Sequence, residues 1–115
     1  MFGNPQMHEH QVRQYFNNFV HGNREELSKQ FTDDVSLIDW DINVYGKEVV
    51  LDAFDNIWSA LSDINVEVIC MDMIGGKAYC EITIEATELD EPLNVIDIIW
   101  FDLNNQINSI IAYKR

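Results

Sequence analysis

The segment from Val95 to Phe101, VIDIIWF, alternates like a strand but is apolar on both of its faces. Val95, Ile99 and Phe101 share one face with a single acid, Asp97, while Ile96, Ile98 and Trp100 form the other. A strand of this kind has to be covered on both sides. An acid in its middle is costly unless it is paired, hydrogen-bonded or protonated. Any fold for this chain must therefore supply two covers and a reason for Asp97.

One cover lies upstream. Val12, Tyr15, Phe16, Phe19 and Val20 fall at helical spacing and make one apolar stripe, which Gly22-Asn23 ends. A short helix is expected next, with Asn23 as N-cap, Glu26 completing a capping-box pattern, and Leu27 and Phe31 buried. Asp33-Asp34 breaks it, and VSLIDW then alternates as a strand. Val49, Val50, Ala53, Phe54, Ile57 and Trp58 mark a third helix.

Only strands follow, over 64–74, 77–88, 93–102 and 106–113, with Gly75-Gly76, Asp-Glu-Pro and Leu-Asn-Asn as turns. The Gly-Gly hairpin sets Ile74 opposite Lys77, Met71 opposite Cys80 and Cys70 opposite Glu81, which puts the two cysteines on opposite faces and disfavours a disulfide. The expected class is α+β: helices on one face of a curved, mostly antiparallel sheet. The helices can cover one face only. The other, centred on Ile96, Ile98 and Trp100, is expected to make a homodimer.

The 115 residues make one domain, with 1–6 expected to fray. Hydrophobic residues at 47% suffice for a core, and no apolar run reaches the ~20 residues of a membrane helix. The start, MFGNPQMHEH, shows no basic or apolar leader, so a cytoplasmic location is expected. A net charge of −13 repels phosphate backbones and anionic lipid, which argues against nucleic-acid and membrane partners. Two thiols without further ligands make a poor zinc site, and His8 and His10, placed in the frayed start, lack a third ligand. No metal is expected, and no phosphate loop or dinucleotide fingerprint is present.

Three stretches carry a resemblance: YFNNFVHGNREELSKQFTDDVSLID from Tyr15 to Asp39, YGKEVVLDAF, and the ending VIDIIWFDLNNQINSIIAYKR. They resemble the nuclear transport factor 2-like superfamily, which includes the SnoaL-like, ketosteroid isomerase-like and polyketide-cyclase-like proteins. The resemblance spans nearly the whole chain. It implies a cone-shaped NTF2-like (cystatin-like) fold: a curved sheet wrapped around a long N-terminal helix with two shorter ones, a pocket at the open end, and pairing through the sheet.

Laid on the steroid isomerase pattern, Tyr15 matches the tyrosine that hydrogen-bonds the substrate oxygen, Asp39 the general base, and Asp97 the acid that stays protonated and donates the second bond. Trp40 and Asp41 follow the base where the isomerases turn with a proline. Where the limonene epoxide hydrolase type carries an arginine, this chain has Val95. Phe19, Leu37, Trp40, Phe54, Trp58, Met73, Val95 and Ile99 are expected to wall the pocket. The implied activity is a cofactor-independent isomerase, or a related lyase or cyclase, acting on a small apolar carbonyl compound through an enolate. The alternative is a non-catalytic ligand-binding or assembly module on the same cone.

Overall fold

The computed structural model describes residues 5–115. Helix α1 (Pro5–His21) is followed by α2 (Arg24–Gln30), β1 (Phe31–Ile38), β2 (Asn43–Tyr45) and α3 (Lys47–Ala60). Then come β3 (Asn65–Ile74), β4 (Lys77–Glu85), β5 (Leu93–Phe101) and β6 (Ile107–Lys114). The six strands form one sheet in the order β2-β1-β6-β5-β4-β3. All neighbours are antiparallel except β1 and β6, which run parallel. Shifts of register at Phe31/Ser36, Val68/Cys70 and Trp100/Phe101 bend the sheet. The fold is α+β, with the helices packed on one face of a six-stranded, mostly antiparallel sheet.

The stripe on α1 is buried as its spacing dictates: Val12, Tyr15, Phe16 and Phe19 lie in the core. Gly22 takes φ +67 and closes the helix: its N–H bonds Phe19 O, and the next N–H, of Asn23, reaches back to Asn18 O at 2.9 Å. Buried amides then tie α1 to α2. Asn18 Nδ2 donates to Gln30 Oε1 at 3.1 Å, and Gln30 Nε2 donates to Gln11 O at 2.9 Å. These bonds satisfy polar groups that would otherwise be stranded under the sheet.

Several expectations are corrected. The capping box at α2 does not form, because the Asn23 side chain turns to Asn18 Oδ1 instead. Phe31 is not the end of that helix. It opens β1, where it is buried and sits in register with Ile107 of β6. The strand thus begins before Asp33-Asp34 rather than after it. On α3 the buried set is Val50, Leu51 and Phe54, while Val49 is exposed. Strand β4 ends at Glu85, short of Glu88. Strand β2 is additional.

Of the segment expected to fray, residues 1–4 lie outside the described residues, and Pro5 and Gln6 already belong to α1. His8, expected in that frayed stretch, is 2% exposed, and its ring stacks on Phe101 with centroids 4.2 Å apart. Phe101 ends the inner face of β5, and the imidazole packs over it.

The Gly75-Gly76 hairpin has the expected register, with Ile74 opposite Lys77, Met71 opposite Cys80 and Cys70 opposite Glu81. Both cysteines are free. On β5 the alternation is clean: Val95, Asp97, Ile99 and Phe101 are buried against the helices, while Ile96 and Trp100 are exposed. Nothing among the described residues covers that outer face. No described helix is long and apolar enough to cross a membrane.

Candidate active site

Between α1, α3 and the inner sheet face lies a cavity of about 280 Å³. Its walls are almost wholly apolar. Three acids, Asp39, Asp41 and Asp97, and one phenol, Tyr15, supply the polar groups that could fix a ligand.

Tyr15 is carried by the buried stripe of α1 and is 4% exposed. Its ring sits among Phe16, Phe31 and Phe54, with centroids 5.2, 6.4 and 6.2 Å away. Its hydroxyl hydrogen-bonds no described residue. Burial first, and then the neighbouring charges of Asp97, Cys80 and Asp39, push its pKa well above the ordinary phenol value. The phenol is therefore a donor that keeps its proton.

Asp97 is 6% exposed and likewise has no hydrogen-bond partner among the described residues. Its neighbours across the sheet are Cys80 on β4 and Ala112 on β6, neither of which offers a strong donor. Burial is the larger cause, and the charge of Asp39 the smaller, that pushes its pKa up to about 7. Burial and the Asp97 charge also push the Cys80 thiol up to about 12, so that sulfur stays protonated. Asp97 is thus a carboxyl that can hold a proton near neutrality and offer it to a ligand.

Asp39 stands just past the end of β1, in the turn to β2. Its backbone N–H donates to Ile42 O at 2.8 Å. Its Oδ1 accepts from the N–H groups of Asp41 and Ile42, each at 2.7 Å. A side-chain oxygen that satisfies two turn amides fixes the carboxylate at the rim. Its other oxygen, Oδ2, has no partner among the described residues. The next two residues, Trp40 and Asp41, also line the opening.

Tyr15, Asp39 and Asp97 thus face one space, close enough for their charges to act on one another. Of the residues expected as walls, Phe19, Leu37, Trp40, Phe54 and Val95 line the cavity. Trp58, Met73 and Ile99 do not. Trp58 is turned aside because its indole N–H donates to Phe19 O at 2.9 Å, which docks α3 on the end of α1. Ile99 lies one inward position beyond Asp97 on β5 and is fully buried. Met73 belongs to the same cross-strand row through Ala78. Both sit below the floor.

The cavity also uses Ile82, Ile84, Leu93, Ile110 and Ala112 as sheet walls, and Ile57 and Leu61 as the α3 wall. Period-two alternation assigns such residues to the inner face. It does not say how far along the cone the open space extends. Among the described residues no group of three His, Cys, Asp or Glu side chains is placed to hold a metal ion.

Comparison with known proteins bears on this architecture. The family model for the SnoaL-like domain matches residues 12–110. No curated protein matches the sequence. Among solved structures, a candidate ketosteroid isomerase from Kribbella flavida superposes with a TM-score of 0.83 at 14% identity, covering 98% of this chain and 81% of that one. The epoxide hydrolase/cyclase-like enzyme SalBIII, of salinomycin pyran ring formation, gives 0.83 at 14% identity, covering 96% and 92%. A de novo designed protein with a curved β-sheet gives 0.81 at 19% identity, covering 97% and 88%. That a designed protein fits about as well as the two natural ones shows that these likenesses report the fold.

Proposed function

The chain belongs to the SnoaL-like domain family, within the nuclear transport factor 2-like superfamily, and on that footing we propose that it is an acid–base enzyme for a small apolar carbonyl compound. The reaction class is isomerisation or cyclisation through an enolate. The reading rests on one observation. Tyr15 and Asp97 are both buried in an apolar cavity, and neither hydrogen-bonds any described residue. A buried polar group without a partner is destabilising, and two in one cavity are best accounted for by a ligand oxygen that accepts from both.

The chemistry follows from the placement. A carbonyl oxygen lies between the Tyr15 phenol and the protonated Asp97 carboxyl. The Asp39 carboxylate takes a proton from the adjacent carbon. The C–H electron pair becomes the new C=C bond, and the carbonyl π pair moves to oxygen. Negative charge builds on that oxygen, and the two donors meet it in a site with little water. The proton held on Asp39 returns at another carbon of the enolate, which completes an isomerisation. In a cyclisation the enolate carbon instead attacks a second carbonyl carbon of the same molecule, the π pair of that carbonyl moves to its oxygen, and that oxygen takes the proton held on Asp39.

The volume, about 280 Å³, lies at the lower edge of the roughly 300–1,000 Å³ typical of small-molecule sites. It suits ligands of one or two rings. The neighbours named isomerase and cyclase support the class of chemistry without naming the substrate.

The test is exchange of the α-protons of one- and two-ring ketones in D₂O, followed by proton NMR. The wild-type protein is expected to exceed the buffer rate, and Asp39→Asn to return it to that rate. If phenols bind but no ketone exchanges faster than in buffer, the chain is a ligand-binding module. That second reading has its own support, since Oδ1 of Asp39 already serves the turn.

A further inference from the structure

The cavity is lopsided in charge. Among the described residues three carboxyl groups line it and no Lys, Arg or His does. Two of the three, Asp39 and Asp41, flank Trp40 at the rim, and Trp40 is 39% exposed. Ile84 and Leu93, also in the lining, flank in sequence the β4–β5 connection, which carries Glu88, Asp90 and Glu91; Glu88 is bonded to Ser62. The floor ends in Tyr15 and Asp97, buried and without partners among the described residues. A cation stands beside the rim tryptophan: Lys114 Nζ lies 5.2 Å from the centroid of the Trp40 ring. That contact shows the indole presenting a face to an ammonium group.

We propose that the rim selects ligands by charge, so that the cavity takes an apolar molecule bearing a protonated amine and turns away carboxylates and phosphates of the same size. The proposal rests on the reading above, in which the ligand's oxygen end lies at Tyr15 and Asp97. It adds that the other end, beyond Asp39 at Trp40 and Asp41, is cationic. An anion drawn into this space would leave water for a pocket walled by hydrocarbon, past the like charges of half-buried Asp39 and exposed Asp41. An ammonium group would instead meet the Asp41 carboxylate beside the indole edge of Trp40, whose face already takes the Lys114 ammonium, with the negative charge of Asp39 nearby. Asp41 is the specificity-determining residue, because its carboxylate is free of the turn that its backbone N–H supports.

Three phenols of similar size separate the possibilities by isothermal titration at pH 7: tyramine (cationic), 4-ethylphenol (neutral) and 3-(4-hydroxyphenyl)propanoate (anionic). The expected order is tyramine tightest, 4-ethylphenol about fivefold weaker and the propanoate weaker again by a similar factor. Added salt should narrow both gaps. Asp41→Asn should bring tyramine close to 4-ethylphenol, and Lys114→Gln should widen the gap between them. Equal affinity for all three phenols would overturn charge selection and leave the oxygen site standing. An unchanged tyramine preference in Asp41→Asn would overturn the assignment to this rim. Tyramine binding that depends on Asp41, without any binding of 4-ethylphenol, would support the rim and overturn the oxygen site. Failure of all three to bind would overturn both.

Discussion

Asp39 and Asp97 face the same cavity with opposite surroundings. Oδ1 of Asp39 accepts two backbone N–H groups at 2.7 Å, whereas Asp97, 6% exposed, accepts from no described residue. One acid is solvated by its own turn and the other by nothing in the protein. On the function proposed above, this contrast suits Asp39 to the role of base at the rim and Asp97 to that of proton donor in the floor. It is also the reason that Asp39 adds to burial in raising the pKa of Asp97 to about 7.

The first expected outcome concerns Asp97 and pH. Its folded-state pKa is about 7, against roughly 3.9 for an unfolded aspartate. The folded protein therefore holds this proton more tightly than the unfolded chain. The stability it contributes is full below about pH 4, declines as pH rises through about 7, and then levels off. The whole change is at most about 4 kcal/mol. Tyr15 and Cys80, which also border it, stay protonated throughout that window. Asp97→Asn should keep the fold and flatten this decline in a melting series from pH 4 to 8. A carboxyl-carbon NMR titration that puts Asp97 at or below pH 4 would refute the neutral-donor role.

A second outcome separates packing from chemistry at Tyr15. Its ring fills the aromatic cluster with Phe16, Phe31 and Phe54, but its hydroxyl bonds no described residue. Tyr15→Phe keeps the ring and removes only the hydroxyl. Stability should therefore change by less than about 1 kcal/mol, or rise slightly. Turnover of a ketone should fall by about 10²–10³ with loss of one oxyanion donor. Melting temperature and α-proton exchange, measured on the same sample, decide it. A large loss of stability would mean that the hydroxyl serves the fold.

At Asp39 the two roles can be pulled apart by choice of substitution. Asparagine retains an oxygen for the N–H groups of Asp41 and Ile42, so Asp39→Asn should unfold within about 0.5 kcal/mol of wild type while losing the base. Alanine leaves both amides without that acceptor, and Asp39→Ala should cost about 1–2 kcal/mol. Urea unfolding of the two variants gives the comparison. Equal stability of Asn and Ala would show that the turn does not depend on this side chain.

Much of this arrangement can be read from the residues, and the limits have physical causes. Periods of 3.6 and 2 are properties of the chain itself. They place Tyr15 on the buried side of α1 and Asp97 on the inner face of β5, and Gly75-Gly76 sets the β3–β4 register. Periodicity assigns a face but not a depth. That is why Ile99 and Met73 look like wall residues yet lie below the floor, while Ile84 and Leu93 line the opening unannounced. Phe31 has helical spacing from Leu27, but parallel pairing with Ile107, far along the chain, claims it for β1. His8 looks like a surface residue until Phe101 closes over it. Strand β2 has only three residues and exists because the Asp39 turn folds it back on β1.

The last outcome concerns the face that the helices leave open. Ile96 is 41% and Trp100 38% exposed on the outer side of β5, with Ile98 between them. In the neighbouring strands Ile98 sits between Tyr79 and Ile111, and Ile96 sits beside Tyr113. This makes an apolar area across three neighbouring strands, β6, β5 and β4, of the kind that marks an interaction site. Lys77 lies over the Trp100 ring at 4.2 Å and Glu81 stands opposite Ile96, so a polar margin borders the patch. An apolar centre with a charged margin is the make-up of a protein interface. A second copy of the chain is the expected partner, because a two-fold axis through the sheet would bury the same residues from both sides. Sedimentation velocity at tens of micromolar should give twice the chain mass, and Trp100→Glu should shift it to the monomer without changing the circular dichroism spectrum. A monomer in the wild type that Trp100→Glu leaves unaltered would rule the dimer out.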